Sequence, residues 1–359
     1  MAAIAQARLR AQHLVGNPFD SALELVRHFG AVQSQDYAGA KWALGQRLSG
    51  VTDADLDRVF DSGAIVRTHV LRPTWHFVLP EDIGWMLELT GPRVSAGLAS
   101  RRRELAIDAD SIKVAKRALH RALEGGKSLT RTELADVAAS ARQSPEGQRG
   151  MHLALAAELD GFIISGPRRG KQMTWALMEE RAPDARRLSR DEALRELAVR
   201  YFASHGPAQL QDYVWWSGLT QAMARHGVEL AGKALTMRTV GDTEYWFDPQ
   251  LDWRSAGARS VHLLPNFDEY SVAYRDRSAL LHADYPFRPE LFAFSSILSN
   301  IVTVGGELRA AWRRTTTRDG LKIEVRPLRP ASPAERAGVG RAVARYGKFL
   351  ERPVDIAWL

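Results

Sequence analysis

One pattern recurs along this chain: several short helices, then a strand, a tight connection and a second strand. A sequence that keeps repeating this order folds into α+β units, not into a bundle, a sandwich or an open parallel sheet. The clearest copy lies between residues 111 and 178. Ile112, Ala115, Leu119 and Leu123 mark one face of a helix that Gly125-Gly126 ends. Thr130 to Glu133 is a capping box opening a short helix through Ala135, Val137 and Ala138. After Ser144-Pro145, a further helix carries Met151, Leu153, Leu155 and Leu159. Phe162-Ile163-Ile164 and Gln172 to Ala176 then read as paired strands joined by residues 166–171. These spacings describe a winged helix, a helix-turn-helix followed by a hairpin wing. The wing tip carries Arg168, Arg169 and Lys171, where phosphate contacts are expected.

A second copy runs from the Ser189 to Glu192 box to about Asp248, broken at Gly206-Pro207 and finished by a hairpin about Gly241-Asp242. Its wing is not basic. The amino-terminal copy is irregular. Helices are expected over residues 5–14, 21–29 and 38–48, another opens at the Thr52 to Asp55 box, and strands 65–70 and 74–79 form a hairpin. A further helix is expected from Pro80-Glu81-Asp82. The last hundred residues carry strand-length apolar runs, with Gly305-Gly306 as a hairpin turn and a closing helix from Pro333 to Phe349. The expected organisation is α+β: three tandem winged-helix units (1–105, 106–186 and 187–255) and a β-rich, barrel-like domain (256–359).

Composition narrows the chemistry. Among 359 residues there is no Cys, which excludes disulfides, thiolate metal sites and cysteine catalysis. No apolar run approaches the roughly 20 residues of a membrane span, and the amino terminus lacks a secretory core. A cytoplasmic protein is expected. The net charge of +7 permits a polyanionic partner.

Between two expected helices of the first unit lies Gln33-Ser34-Gln35, followed by Asp36 and Tyr37. On extended or turning backbone, side chains two apart face one side; on a helix they diverge by about 200°. Two neutral amides can hold and orient a water but cannot deprotonate it. Such a pair suits a reaction whose leaving group needs little help.

Three stretches in this order resemble the winged-helix DNA glycosylases of the AlkZ type: Phe29 to Asp36, Val66 to His76, and His262 to Tyr270. The likeness spans nearly the whole chain. It implies a C-shaped body of tandem winged helices around double-stranded, damaged DNA, with Gln33 and Gln35 as the catalytic pair at the scissile glycosidic bond. The family's middle residue is often aliphatic, and here it is Ser34. A cationic, N7-alkylated purine leaves without general acid, so the implied activity is that of a monofunctional glycosylase acting through a positioned water.

Other residues carry two readings each. Asp36 orders the amides or caps the helix that follows; Tyr37 and Trp42 stack on a base or fill the core. His69, Trp75 and His76 line the cleft on facing strands; no third ligand spacing supports a metal, and no cofactor is expected. Lys41 is the lysine nearest the motif, with no strong case for a Schiff base. Arg101-Arg102-Arg103 and Arg313-Arg314 join Arg168, Arg169 and Lys171 as candidate phosphate contacts. Asp268-Glu269 reads as a structural turn or an arginine partner, since neighbours on a strand face opposite ways. The units already offer an extended surface, so a nucleoid-associated monomer without an obligate protein partner is expected. The competing function is a non-catalytic winged-helix DNA-binding protein or regulator, in which the Gln pair is incidental.

Overall fold

The computed structural model describes all residues except 141–148, 254–256, 282–298 and 317–319. The expected turn at Ser144-Pro145 lies outside the described residues. The fold is α+β, with three helix-plus-hairpin units and a carboxy-terminal mixed sheet.

In the first unit, helices Ala2–Ala11, Ala22–Phe29, Tyr37–Gly45 and Asp53–Ser62 precede a hairpin of Val66–Val70 and Thr74–Val78. Ser21 and Asp36 accept helix N–H groups at two of these starts, and Thr52 with Asp55 completes a capping box at the third. A two-residue strand, Val32–Gln33, adds to the Thr74–Val78 edge and makes the sheet three-stranded. The backbone of the Gln motif is therefore extended because it is paired, not merely because it links two helices. Helix Ile83–Gly97 begins later than Pro80. Asp82 does not cap it: its buried carboxylate accepts from Arg200, Arg186 and Trp85.

The second unit has helices Ala109–Leu123, Arg131–Ser140 and Arg149–Leu159, then the hairpin Ile163–Ser165 and Thr174–Leu177, edged by Leu129–Thr130. The third has Arg190–His205, Leu210–Ser217 and Gln221–Ala231, then the hairpin Thr236–Val240 and Thr243–Phe247.

The carboxy-terminal sheet runs in the order Val354–Trp358, Leu321–Pro327, Glu307–Thr316, Ile301–Val304, Val261–Leu264. The Gly305-Gly306 turn has φ of +60° and +90°, the left-handed pair that a two-residue hairpin of this twist requires. Helix Pro333–Phe349 carries the chain back over the sheet to a final parallel strand that periodicity did not reveal. The domain is β-rich as expected; among the described residues its sheet is open with two edges rather than barrel-like, and a helix covers one face.

Two cores flank the first hairpin. Phe77 packs with Trp42 and Phe60 and with Leu263, Ile323 and Tyr346 of the carboxy-terminal sheet and helix. Val66 and Val70 pack with Trp85 and with Leu197, Tyr201 and Trp216 of the third unit. Both cores cross the unit boundaries, so the strands that carry the Gln motif are fixed from two sides. Among the described residues no helix is long and apolar enough to cross a membrane.

Candidate active site

The sheet of the first unit sets the geometry. Gln33 stands opposite His76, and Ser34 N–H donates to the Trp75 carbonyl at 2.7 Å. The strand ends at Gln33 and the chain bends at Gln35, so the motif sits on the extended-to-turning backbone that the sequence required. Both amides meet the same hairpin. The Gln33 Oε1 accepts from Arg72 Nη2 at 3.4 Å, and the Gln35 Oε1 accepts from the Trp75 N–H at 3.3 Å. Gln33 is buried and Gln35 is exposed. The pair thus spans from the interior to solvent.

Ser34 is completely buried, which the polar side chain did not suggest. Arg67 explains it. Its guanidinium donates to the Ser34 carbonyl at 3.1 and 2.9 Å and to Ser34 Oγ at 3.3 Å. The same cation lies 4.3 Å from the Trp75 ring centroid. Burial pulls the Arg67 pKa down to about 10, which still leaves it charged at neutral pH. A hydroxyl in the middle of the motif is therefore satisfied by a residue two strands away, on the opposite edge of the same sheet.

The most informative partner comes from 236 residues away. Glu269 Oε1 accepts the Gln33 backbone N–H at 2.6 Å, while Oε2 accepts from Trp216 Nε1 at 3.0 Å and faces His205 Nε2 at 3.2 Å. Burial pushes this carboxyl up, but the hydrogen bond and charge of His205, the Gln33 N–H and His76 outweigh it and hold the group below its ordinary value. It is a buried carboxylate. The turn expected at Asp268-Glu269 is present: Phe267 has φ +63°, the chain turns, and Asp268 caps the short helix Glu269–Val272. Asp268 has the arginine partner the sequence suggested, a buried bidentate pair with Arg47 at 2.8 and 2.9 Å. The signal for the turn was present in Pro265-Asn266.

His76 is buried, donates Nδ1–H to the Thr74 carbonyl at 2.9 Å, and leaves Nε2 without a hydrogen-bond partner. Burial lowers its pKa to about 3, so the ring is neutral. His69 turns away from it, to Glu158 at 2.5 Å, and packs tilted against Trp75 with ring centroids 4.0 Å apart. The two histidines do not converge, and no cluster of metal-ligating side chains occurs among the described residues. Asp36 is the cap of helix Tyr37–Gly45, accepting from Gly39 N–H. Tyr37 binds Asp57 and packs on Phe60 and Phe77, and Trp42 is core. Lys41 is buried between Asp53 and Asp57 at 2.7 and 2.6 Å, a paired ammonium rather than a nucleophile.

The cation clusters divide. Arg168 is not presented to a phosphate: it grips Asp61 through backbone N–H, Nε and Nη2 and reaches Asp57 through Nη1 at 2.9 Å. It ties the second unit's hairpin to a first-unit helix that happens to be acidic on the facing side. Arg169 binds Glu133 and the Ser128 carbonyl, and Lys171 is exposed. Arg101 pairs with Glu104, Arg102 binds Ser95, and Arg103 is exposed. Arg313 pairs with Glu324 while remaining largely exposed, and Arg314 donates to the Tyr346 hydroxyl.

The fold and this site define a class. The structure superposes on the DNA glycosylase AlkZ of Streptomyces sahachiroi with a TM-score of 0.80 over 100% of this chain and 99% of that one, at 19% identity. The model of the AlkZ-like DNA glycosylases matches residues 26–349, and the chain belongs to that family. No curated protein matches. The protein is accordingly a DNA glycosylase, a DNA-acting hydrolase of repair.

Proposed function

We propose that this enzyme is a monofunctional glycosylase that removes purines alkylated at N7, with a water held by Gln33 and Gln35 attacking C1′. One observation carries the reading: two non-titrating amides meet the same hairpin from one short segment, and the groups beside them have no proton to give. His76 is neutral with its one N–H already donated to a carbonyl, and Glu269 is held as the carboxylate. A neutral purine would need protonation to depart. An N7-alkylated purine carries its charge already, so the electrons of the breaking C1′–N9 bond neutralise the ring as it leaves. The sugar passes through an oxocarbenium-like state, the water oxygen bonds to C1′, and its proton passes to solvent. The amides position that water and set their dipoles toward the developing charge. The doubly paired Lys41 gives no support to a Schiff-base route.

The partner is damaged double-stranded DNA. The three helix-plus-hairpin units (1–105, 106–186 and 187–255) serve as tandem winged helices around the duplex, with Arg103, Lys171 and Arg313 facing its phosphates. The enzyme works as a monomer on the cytoplasmic nucleoid. The test is single-turnover release of 7-methylguanine from a labelled duplex. Wild type releases the base, and Gln33→Ala/Gln35→Ala slows release by at least about 100-fold with duplex binding retained. Equal release by both proteins contradicts the assignment.

A further inference from the structure

The adjacent residues Trp215 and Trp216 face opposite duties. Trp216 is fully buried and donates to the carboxylate of Glu269. Trp215 is 43% exposed, and its Nε1–H is consumed by the Val272 carbonyl at 3.0 Å. What it offers outward is apolar ring. The Arg72 guanidinium carbon lies 5.2 Å from that ring's centroid, and the same guanidinium reaches Gln33 Oε1. Arg72 forms no ion pair among the described residues, and its buried Nε has no hydrogen-bond partner. Burial lowers its pKa, and that of Arg277 is lowered first by its own burial and then by the charge of Arg72. The carboxylate of Glu269 acts on Arg72 through space without forming an ion pair, so this is a positive centre only partly compensated beside the Gln motif.

The juxtaposition is built into the chain. Gly218 closes helix Leu210–Ser217 with φ +69°, and a Cβ there would collide with the carbonyl oxygen of Leu71. Only glycine lets this helix end sit against the hairpin turn that carries Arg72.

We propose that Arg72 and Trp215 form a subsite for the nucleotide next to the lesion, the guanidinium taking its phosphate and the indole face stacking on its neutral base. The inference rests on the glycosylase reading and deepens it. The lesion itself is the wrong occupant, because a cationic base beside a guanidinium that no ion pair neutralises is repelled. A phosphate instead supplies acceptors for the unpartnered Nε. When a base leaves the helix, its neighbour loses one stacking face, and an exposed tryptophan restores it.

The test uses the full chain and a duplex in which 2-aminopurine flanks 7-methylguanine. Binding is followed in a Gln35→Ala background so that no base is released; base release is followed separately with Gln35 intact. Stacking on the indole keeps 2-aminopurine dark. Trp215→Ala is expected to raise its fluorescence severalfold and weaken binding by about tenfold, and Trp215→Phe to retain most of both. Arg72→Ala lowers the slope of log affinity against log salt by about one. Unchanged fluorescence and affinity in Trp215→Ala, with the phenylalanine variant equally silent, overturns the subsite. Trp215-dependent quenching without base release by any variant keeps the subsite and removes the chemistry; base release with Trp215-independent fluorescence does the reverse.

Discussion

The hairpins of the first and second units are the same device with opposite charge accounting. The second carries Arg168, Arg169 and Lys171 within four residues, yet Arg168 is spent on Asp57 and Asp61 and Arg169 on Glu133. The first carries Arg72 in an apolar turn, and that cation forms no ion pair among the described residues, feeling the Glu269 carboxylate only through space. A run of positive residues in sequence measures supply, whereas recognition depends on what remains unpaired after folding. The dense cluster fastens two units together, and the isolated arginine stands at the candidate site.

The sharpest way to break this contrast is to remove the carboxylate that organises the first hairpin's face. Glu269→Ala strands the Gln33 N–H, the Trp216 indole N–H and His205 in a buried place, and should cost about 3–5 kcal/mol by urea denaturation. Glu269→Gln, which can still accept from Gln33, should recover part of that stability while base release stays slow. Recovery of full activity in Glu269→Gln would show that only the shape of residue 269 matters.

Acid comes next. Burial pulls His28 down to about 4 and His76 and His262 to about 3, against an ordinary value near 6.5. Below about pH 6.5 the unfolded chain binds protons that these rings refuse, so their contribution is complete above that pH and lost as the pH falls. Melting measured from pH 7 to 4.5 should decline by the equivalent of a few kcal/mol. Glu269, depressed as a carboxylate, adds a loss only below about pH 4.3. A melting temperature flat down to pH 5 would contradict the burial of these imidazoles.

Arg168→Ala and Arg72→Ala set the two hairpins side by side. The first should lower stability by about 1–3 kcal/mol and leave the salt dependence of DNA binding unchanged. The second should barely move the melting temperature but reduce the salt slope. Exchanged outcomes would make Arg168 a DNA contact and Arg72 a structural one. Ser34→Ala is the mildest change: Arg67 keeps its two bonds to the Ser34 carbonyl, so stability should fall by no more than about 1 kcal/mol, with base release within threefold of wild type.

Local chemistry was legible in the sequence. The Thr52, Ser189 and Thr130 boxes, the Asp36 cap, the Gly305-Gly306 turn and the non-helical, extended-to-turning backbone at Gln33 to Gln35 all follow from near neighbours, and the structure has them. What escaped is long-range. Glu269 reaches Gln33 across 236 residues, Arg168 reaches Asp61 across 107, and the final strand pairs in parallel through a helix. Hydrophobic period and capping patterns say which face of an element is buried; they do not say which element arrives there. The buried Ser34 is the instructive case, since its partner Arg67 sat in a stretch already singled out, yet only pairing of the strands joins them.

The most direct measurement compares two substrates that differ in charge and hardly in shape, a duplex with 7-methylguanine and one with 7-methyl-7-deazaguanine, each under single-turnover conditions. If paired amides act on a base that already carries its charge, the enzyme releases 7-methylguanine and leaves the uncharged isostere intact, and Gln35→Ala removes the first activity. Comparable release of both would mean that a group in this site protonates the leaving base, and the role assigned to Gln33 and Gln35 would fall.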